Sequence, residues 1–157
     1  MARIERTIDV NVPTRVAYDQ WTQFEEFPRF MEGVDRVVQE GDKQLHWTAT
    51  IAGQRRDWTA EIVDQTPNTR IAWRSIDGTA NAGAVVFTPL GPDHTRINLA
   101  IDAQPEGAVE TAGTALGFLE RRVQGDLERF KEFIENREVP TGAWTGEIHG
   151  DRVESPR

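Results

Sequence analysis

The sequence predicts an α+β fold: a curved antiparallel sheet of seven strands, two short helices after the first strand, and a long C-terminal helix packed on the concave face. Three observations carry this. Turn residues cut residues 34–103 into short runs at hairpin intervals, and residues 107–136 place apolar side chains every three or four positions. The run from Trp21 to Met31 holds four aromatics and a methionine, yet it fits neither period.

The first strand is residues 3–10, with Ile4, Ile8 and Val10 on one face and Glu5, Thr7 and Asp9 on the other. Asn11 to Thr14 turn into a helix with Pro13 near its first position, and Val16, Ala17, Tyr18 and Trp21 form its apolar side. Pro28 blocks a continuous helix through the aromatic run, so a second short helix ending near Gly33 is expected there. Six strands follow near 34–40, 43–51, 54–65, 69–76, 80–90 and 95–103. The breaks between them include Gly41-Asp42, Ala52-Gly53, Thr66-Pro67-Asn68, Asp77-Gly78 and Gly91 to His94. Val109, Ala112, Leu116, Leu119, Val123, Leu127, Phe130 and Ile134 make the stripe of the long helix, which Pro140 and Gly142 end. The expected organisation is one domain over 1–137, followed by a polar, flexible tail over 138–157 in which Trp144 alone is large enough to dock back.

Hairpin loop lengths set which residues face each other. The loops predict Ile51 opposite Gln54, Trp47 opposite Trp58, Gln65 opposite Arg70 and Ile62 opposite Trp73. A two-residue Asp77-Gly78 turn adds Trp73 opposite Ala82, and a four-residue loop at 91–94 adds Val86 opposite Leu99. Together they gather Leu45, Trp47, Trp58, Ile62, Ile71, Trp73, Val86, Ile97, Leu99 and Ile101 on one face. The opposite face is polar and pairs Glu61 with Arg74. Gly113, Gly117, Ala82 and Ala84 are small where a filled core would use bulk, which leaves two readings: close helix–sheet packing or a hollow interior.

The 157 residues carry 26 acidic against 18 basic side chains, a formal net charge of −8 that argues against a nucleic-acid binder. The absence of cysteine removes disulfides and thiolate chemistry. No apolar run approaches the ~20 residues of a membrane span, and the charged N-terminus is unlike a signal peptide. A cytoplasmic monomer or weak homodimer is expected. His46, His94 and His149 share no ligand spacing, so neither a metal nor another cofactor is expected.

The element order and the motif Trp21-x-x-Phe24-Glu25-x-Phe27-Pro28-x-Phe30-Met31-x-x-Val34 resemble the START-like, helix-grip superfamily. Within it, the chain is similar to the polyketide cyclase/dehydrase and coenzyme-Q-binding group, as are Trp58 with Ile62 and the segment Ile71-Ala72-Trp73-Arg74-Ser75. The resemblance covers residues 3–136. It implies an apolar cavity between helix and sheet, with Phe24, Phe27, Phe30 and Met31 as a lid at its mouth. The walls would come from Trp47, Trp58, Trp73, Leu99, Leu116 and Leu119, and the ligand would be a lipid, quinone, isoprenoid or polyketide-like molecule.

A cyclase or dehydratase would need acid/base groups inside such a cavity, and Arg56, Ser75 and Tyr18 are the candidates. Arg56 either holds a ligand oxygen or stretches its stem along the sheet and keeps its head in water. Ser75 serves equally as a hydrogen-bonded filler, and Tyr18 as packing under the first helix. Arg121 and Arg122, interleaved with acids, read as a solvated helix face. A third reading is a protein-interaction module that displays the aromatic run over a filled core.

Overall fold

The computed structural model describes residues 2–51, 53–103 and 112–155, with the side chains of residues 2, 51 and 112–116 outside that description. Strand β1 (Ala2–Val10) leads through helix α1 (Thr14–Trp21) and a 3-10 helix at Phe24–Arg29 into the meander. The meander is β2 (Val34–Glu40), β3 (Gln44–Ile51), β4 (Gln54–Thr66), β5 (Arg70–Gly78), β6 (Asn81–Gly91) and β7 (His94–Ala103). Helix α2 (Ala112–Arg137) follows, then two short strands, β8 (Glu147–His149) and β9 (Arg152–Glu154). The sheet order is β1-β7-β6-β5-β4-β3-β2, with antiparallel neighbours throughout. Val109, expected in the helical stripe, lies outside the described residues.

Among the described residues the sheet has nine strands rather than seven. The extra two form a hairpin in the segment expected to be a flexible tail. Ile148 pairs with Gln65, His149 pairs with Asp64, and Ile148 is fully buried. Trp144 does dock back, its backbone N–H donating to Thr22 Oγ1 at 3.2 Å, and Thr141 N–H donates to Gln20 Oε1 at 2.8 Å. Strands of three residues, with Ile148 buried in one and Val153 half-buried in the other, fall below what alternation can reveal.

Three of the six predicted registers hold: Trp47 faces Trp58, Ile51 faces Gln54, and Ile62 faces Trp73. Arg74 and Glu61 pair across the outer face at 3.7 Å. Two parts differ. The register shifts between Ile62 and Asp64, so Gln65 faces Ile71 rather than Arg70, and its side chain turns inward. Strand β6 presents the opposite face to the one expected. Asp77 and Gly78 are not its turn, because β5 runs on to pair Gly78 with Trp58. At its other end Gly91 pairs with His94 around Pro92-Asp93, and the register shifts past Leu90. Trp73 consequently faces Gly83 instead of Ala82, and Leu99 faces Val85 instead of Val86. Val85 and Phe87 are the buried residues of β6, while Val86 is not. A shift of one residue suffices because the side-chain period is two.

The core gathers at one end of the sheet. Val123, Leu127, Phe130 and Ile134 of α2 are buried at spacings of four, three and four. Trp21 packs edge-on against Phe27, Phe87 and Phe130, with ring centroids 5.7, 6.1 and 4.9 Å away. Phe30 sits between Phe27, Phe130 and Phe133. The aromatic run is thus built into the core: Phe24, Phe27 and Phe30 are each under 5 % exposed.

Candidate functional site

At the other end α2 and the sheet diverge, and a cavity of about 520 Å³ opens between them. Its deep end is Trp21, Phe24, Phe27, Ile62, Ile71 and Leu127, all buried. Its exposed lining residues, Glu32, Gln54, Ala80 and Arg121, mark the mouth. Strand direction explains this position. The β3–β4 and β5–β6 turns, the end of β7 at Ala103 and the start of β2 all lie at one end of the antiparallel sheet, and the first half of α2 covers that end.

The tryptophans line the cavity without filling it. Trp47 and Trp58, directly opposed on β3 and β4, stack with ring centroids 5.5 Å apart and planes 8° apart. Trp73 packs against Gly83, where a Cβ would come within 2.6 Å of its ring and 2.5 Å of the Ala100 carbonyl oxygen. Only glycine permits that approach. The Trp73 indole N–H donates to Asn81 Oδ1 at 3.3 Å, which fixes the ring at the wall.

One wall is polar. Asp126 of α2 accepts the Glu32 backbone N–H at 3.1 Å and Arg129 Nη2 at 2.6 Å. Arg129 Nε donates to the Phe30 carbonyl at 2.9 Å, and Arg122 Nη1 donates to the Glu32 carbonyl at 2.6 Å. Three α2 side chains thus clasp the turn between the 3-10 helix and β2. Gly33 completes it with φ +88°, a left-handed conformation that favours glycine. Burial raises the Asp126 carboxyl to about 6, against the lowering influence of Arg129 and Arg122.

Comparison with known proteins identifies the lineage. The sequence profile described as "Polyketide cyclase / dehydrase and lipid transport" matches residues 10–132. The chain belongs to this polyketide cyclase/dehydrase family. An uncharacterised 17.2 kDa protein of Streptomyces lincolnensis, from the melC2–rnhH intergenic region, is 46% identical over 149 residues, which is 94% of this chain and 99% of that one. Two solved structures share the fold. The Zhui aromatase/cyclase of Streptomyces sp. R1128 has a TM-score of 0.70 at 19% identity, covering 87% of this chain and 94% of that one. A START superfamily protein of Mycobacterium smegmatis has a TM-score of 0.69 at 17% identity, covering 84% and 98%. The START-like, helix-grip architecture read from the sequence is the one observed.

Within this polyketide cyclase/dehydrase member, Phe24, Phe27, Met31, Trp47, Arg56, Trp58, Trp73, Leu99 and Leu119 all line the cavity. Phe30 does not: its ring is spent against Phe130 and Phe133 in the core. The Leu116 side chain lies outside the described residues. Phe24 and Phe27 are buried at the deep end and not at the mouth as the resemblance implied, whereas Met31 is half-buried beside the exposed Glu32.

The three candidate catalytic groups are not brought together. Arg56 reaches the cavity, with Nη2 donating to Gln54 Oε1 at 2.5 Å. Ser75 Oγ instead accepts the Asn81 backbone N–H at 3.0 Å. Tyr18 is buried against Phe87, its hydroxyl raised to about 12 chiefly by burial. Gln65 faces that hydroxyl, but neither Tyr18 Oη nor Gln65 Nε2 completes a hydrogen bond.

The sequence reading missed Arg121, Arg122 and Asp126, all of which line the cavity. The signal was present, since Arg122 and Asp126 each immediately precede a residue of the apolar stripe, Val123 and Leu127. Among the described residues no group of three or more His, Cys, Asp or Glu side chains is arranged to hold a metal, and no helix is long and apolar enough to cross a membrane.

Proposed function

We propose that this family member binds a small hydrophobic molecule in the cavity between α2 and the sheet. The observation that carries this is the open volume of about 520 Å³ beside three tryptophans that could have filled it and do not. That volume falls in the range of drug-sized ligand sites, roughly 300–1,000 Å³, and apolar walls with few polar groups are what such ligands need. Binding is driven by burying ligand area at roughly 25 cal/mol per Å², less the entropy of immobilisation. A lipid, quinone, isoprenoid or polyketide-like compound has the required apolar surface, and the family's description spans both cyclisation and lipid transport.

Of the three groups named for the cyclase reading, Arg56 alone lines the cavity. The interaction-module reading needs an exposed aromatic patch, and Phe27 and Phe30 are each 2 % exposed. Titration with N-phenylnaphthylamine, a neutral dye that brightens in apolar sites, tests the binding reading. Saturable binding that Ala49→Trp abolishes is expected, because Ala49 is a small residue of the cavity lining. Absence of saturable binding to the wild-type protein would overturn it.

A further inference from the structure

The three α2 side chains that clasp the turn between the 3-10 helix and β2 are not equivalent. Taken from the core towards the cavity mouth, Arg129 Nε donates to the Phe30 carbonyl at 2.9 Å and Asp126 Oδ1 accepts the Glu32 N–H at 3.1 Å. Arg122 Nη1 donates to the Glu32 carbonyl at 2.6 Å and is the outermost of the three. Arg129 and Asp126 also bond to each other at 2.6 Å, so the two inner contacts brace one another. Arg122 stands one helical turn nearer the mouth, beside the exposed Arg121.

The Arg122 guanidinium bridges helix and turn. It lies over the Phe118 ring, 4.9 Å from the centroid, and a Cβ at Gly33 would overlap its Nη1, so the turn is bare where the arm crosses it. Asp126, one turn further along α2, attracts it as well. Phe118, Arg122, Glu32 and Gly33 all line the cavity, so the arm closes across one side of the opening. Its bond to Glu32 is exposed, and a swing outward would leave that carbonyl to water. The backbone of the turn would stay where Asp126 and Arg129 hold it.

We propose that Arg122 is a side-chain latch across the cavity mouth, and that its release sets how fast a ligand enters and leaves. This rests on the hydrophobic-cavity reading and adds how the cavity is reached. The latch contacts are made within the protein and none of them uses the ligand, so they govern rates and not affinity. Stopped-flow mixing with N-phenylnaphthylamine gives the association rate constant, and a dilution jump of the dye complex gives the dissociation rate constant. Arg122→Ala should raise both by about tenfold, the scale of one charge-assisted hydrogen bond, and leave Kd within about threefold of wild type.

Arg122→Lys keeps a donor for the Glu32 carbonyl and loses the planar contact with Phe118, so its rates should rise by about threefold. Glu128→Ala is the control on the same helix: Glu128 is exposed, lies outside the cavity lining and bonds to Gln124, so its rates should match wild type. Circular dichroism checks that each variant is folded, and if Arg122→Ala is not, Arg122→Lys carries the test. Wild-type rates in a folded Arg122 variant overturn the latch and leave the cavity reading intact. Faster dissociation alone, with Kd weakened to match, makes Arg122 a ligand contact and overturns the latch too. Failure of the dye to bind the wild-type protein overturns the cavity reading and the latch with it.

Discussion

Gly83→Ala tests the wall of the cavity most directly. The added methyl would meet the Trp73 ring at 2.6 Å and the Ala100 carbonyl oxygen at 2.5 Å, whereas ordinary contact begins near 3.4 Å. Something must move by roughly 0.8 Å. The carbonyl belongs to β7, which pairs with β6 on one side and β1 on the other, so the backbone cannot retreat without breaking ladder bonds. The Trp73 ring can give, and only into the cavity, but the contact with the carbonyl is relieved only if β6 and β7 part locally. Overpacking of this kind costs about 1–3 kcal/mol, which for a domain of this size lowers Tm by roughly 2–12 °C. Dye affinity should fall as well, because the displaced indole occupies ligand space. Gly91→Ala is the control: its methyl would meet only His94 Cβ, at 3.9 Å, so stability should change by less than about 0.5 kcal/mol. Thermal unfolding by circular dichroism and dye titration read both effects. A Gly83→Ala protein with wild-type Tm and wild-type affinity would refute the account of a ring pressed onto bare backbone.

Other outcomes follow from single contacts. Burial raises Asp126 from 3.8 to about 6, so the folded state holds this proton more tightly than the unfolded state. Stability from this group is full below about pH 4 and is lost as pH rises through about 6, by up to about 3 kcal/mol; urea midpoints across that window should show the slope in wild type and lose it in Asp126→Asn. Tyr18→Phe removes a buried hydroxyl that makes no hydrogen bond, so chemical denaturation should find stability unchanged or up to about 1 kcal/mol higher, and a loss above 1 kcal/mol would mean a hidden partner. Ile148→Ala should cost about 2–4 kcal/mol in the same assay, since Ile148 is fully buried, and a neutral result would mean that the hairpin does not pack.

How far the sequence carried depended on what kind of signal each feature left. The Trp47–Trp58 and Ile62–Trp73 pairs were legible because loop length and alternation agreed there. Strand β6 was not, because Leu90 interrupts its register beside a turn tighter than its composition suggested. The aromatic run was legible as something buried. Its place at the deep end of the cavity depends on Phe130 and Phe133, about a hundred residues further on, which no local pattern reports. Arg121 and Arg122 looked like a solvated face because charged residues flank them; only the direction of α2 across the sheet shows that they meet a rim. Asp126 was hidden for the same reason.

The terminal hairpin has a further consequence. Strand β4 outruns β3, whose last partner on it is Glu61, so residues 63–66 would present an open strand edge. The hairpin closes it: Gly150 N–H donates to the Val63 carbonyl at 2.8 Å, and Lys43 Nζ donates to the Gly150 carbonyl at 2.7 Å. An unpaired edge is a template for a strand from another copy. Trimming the chain after α2 would therefore yield a stickier protein rather than a smaller version of the same one.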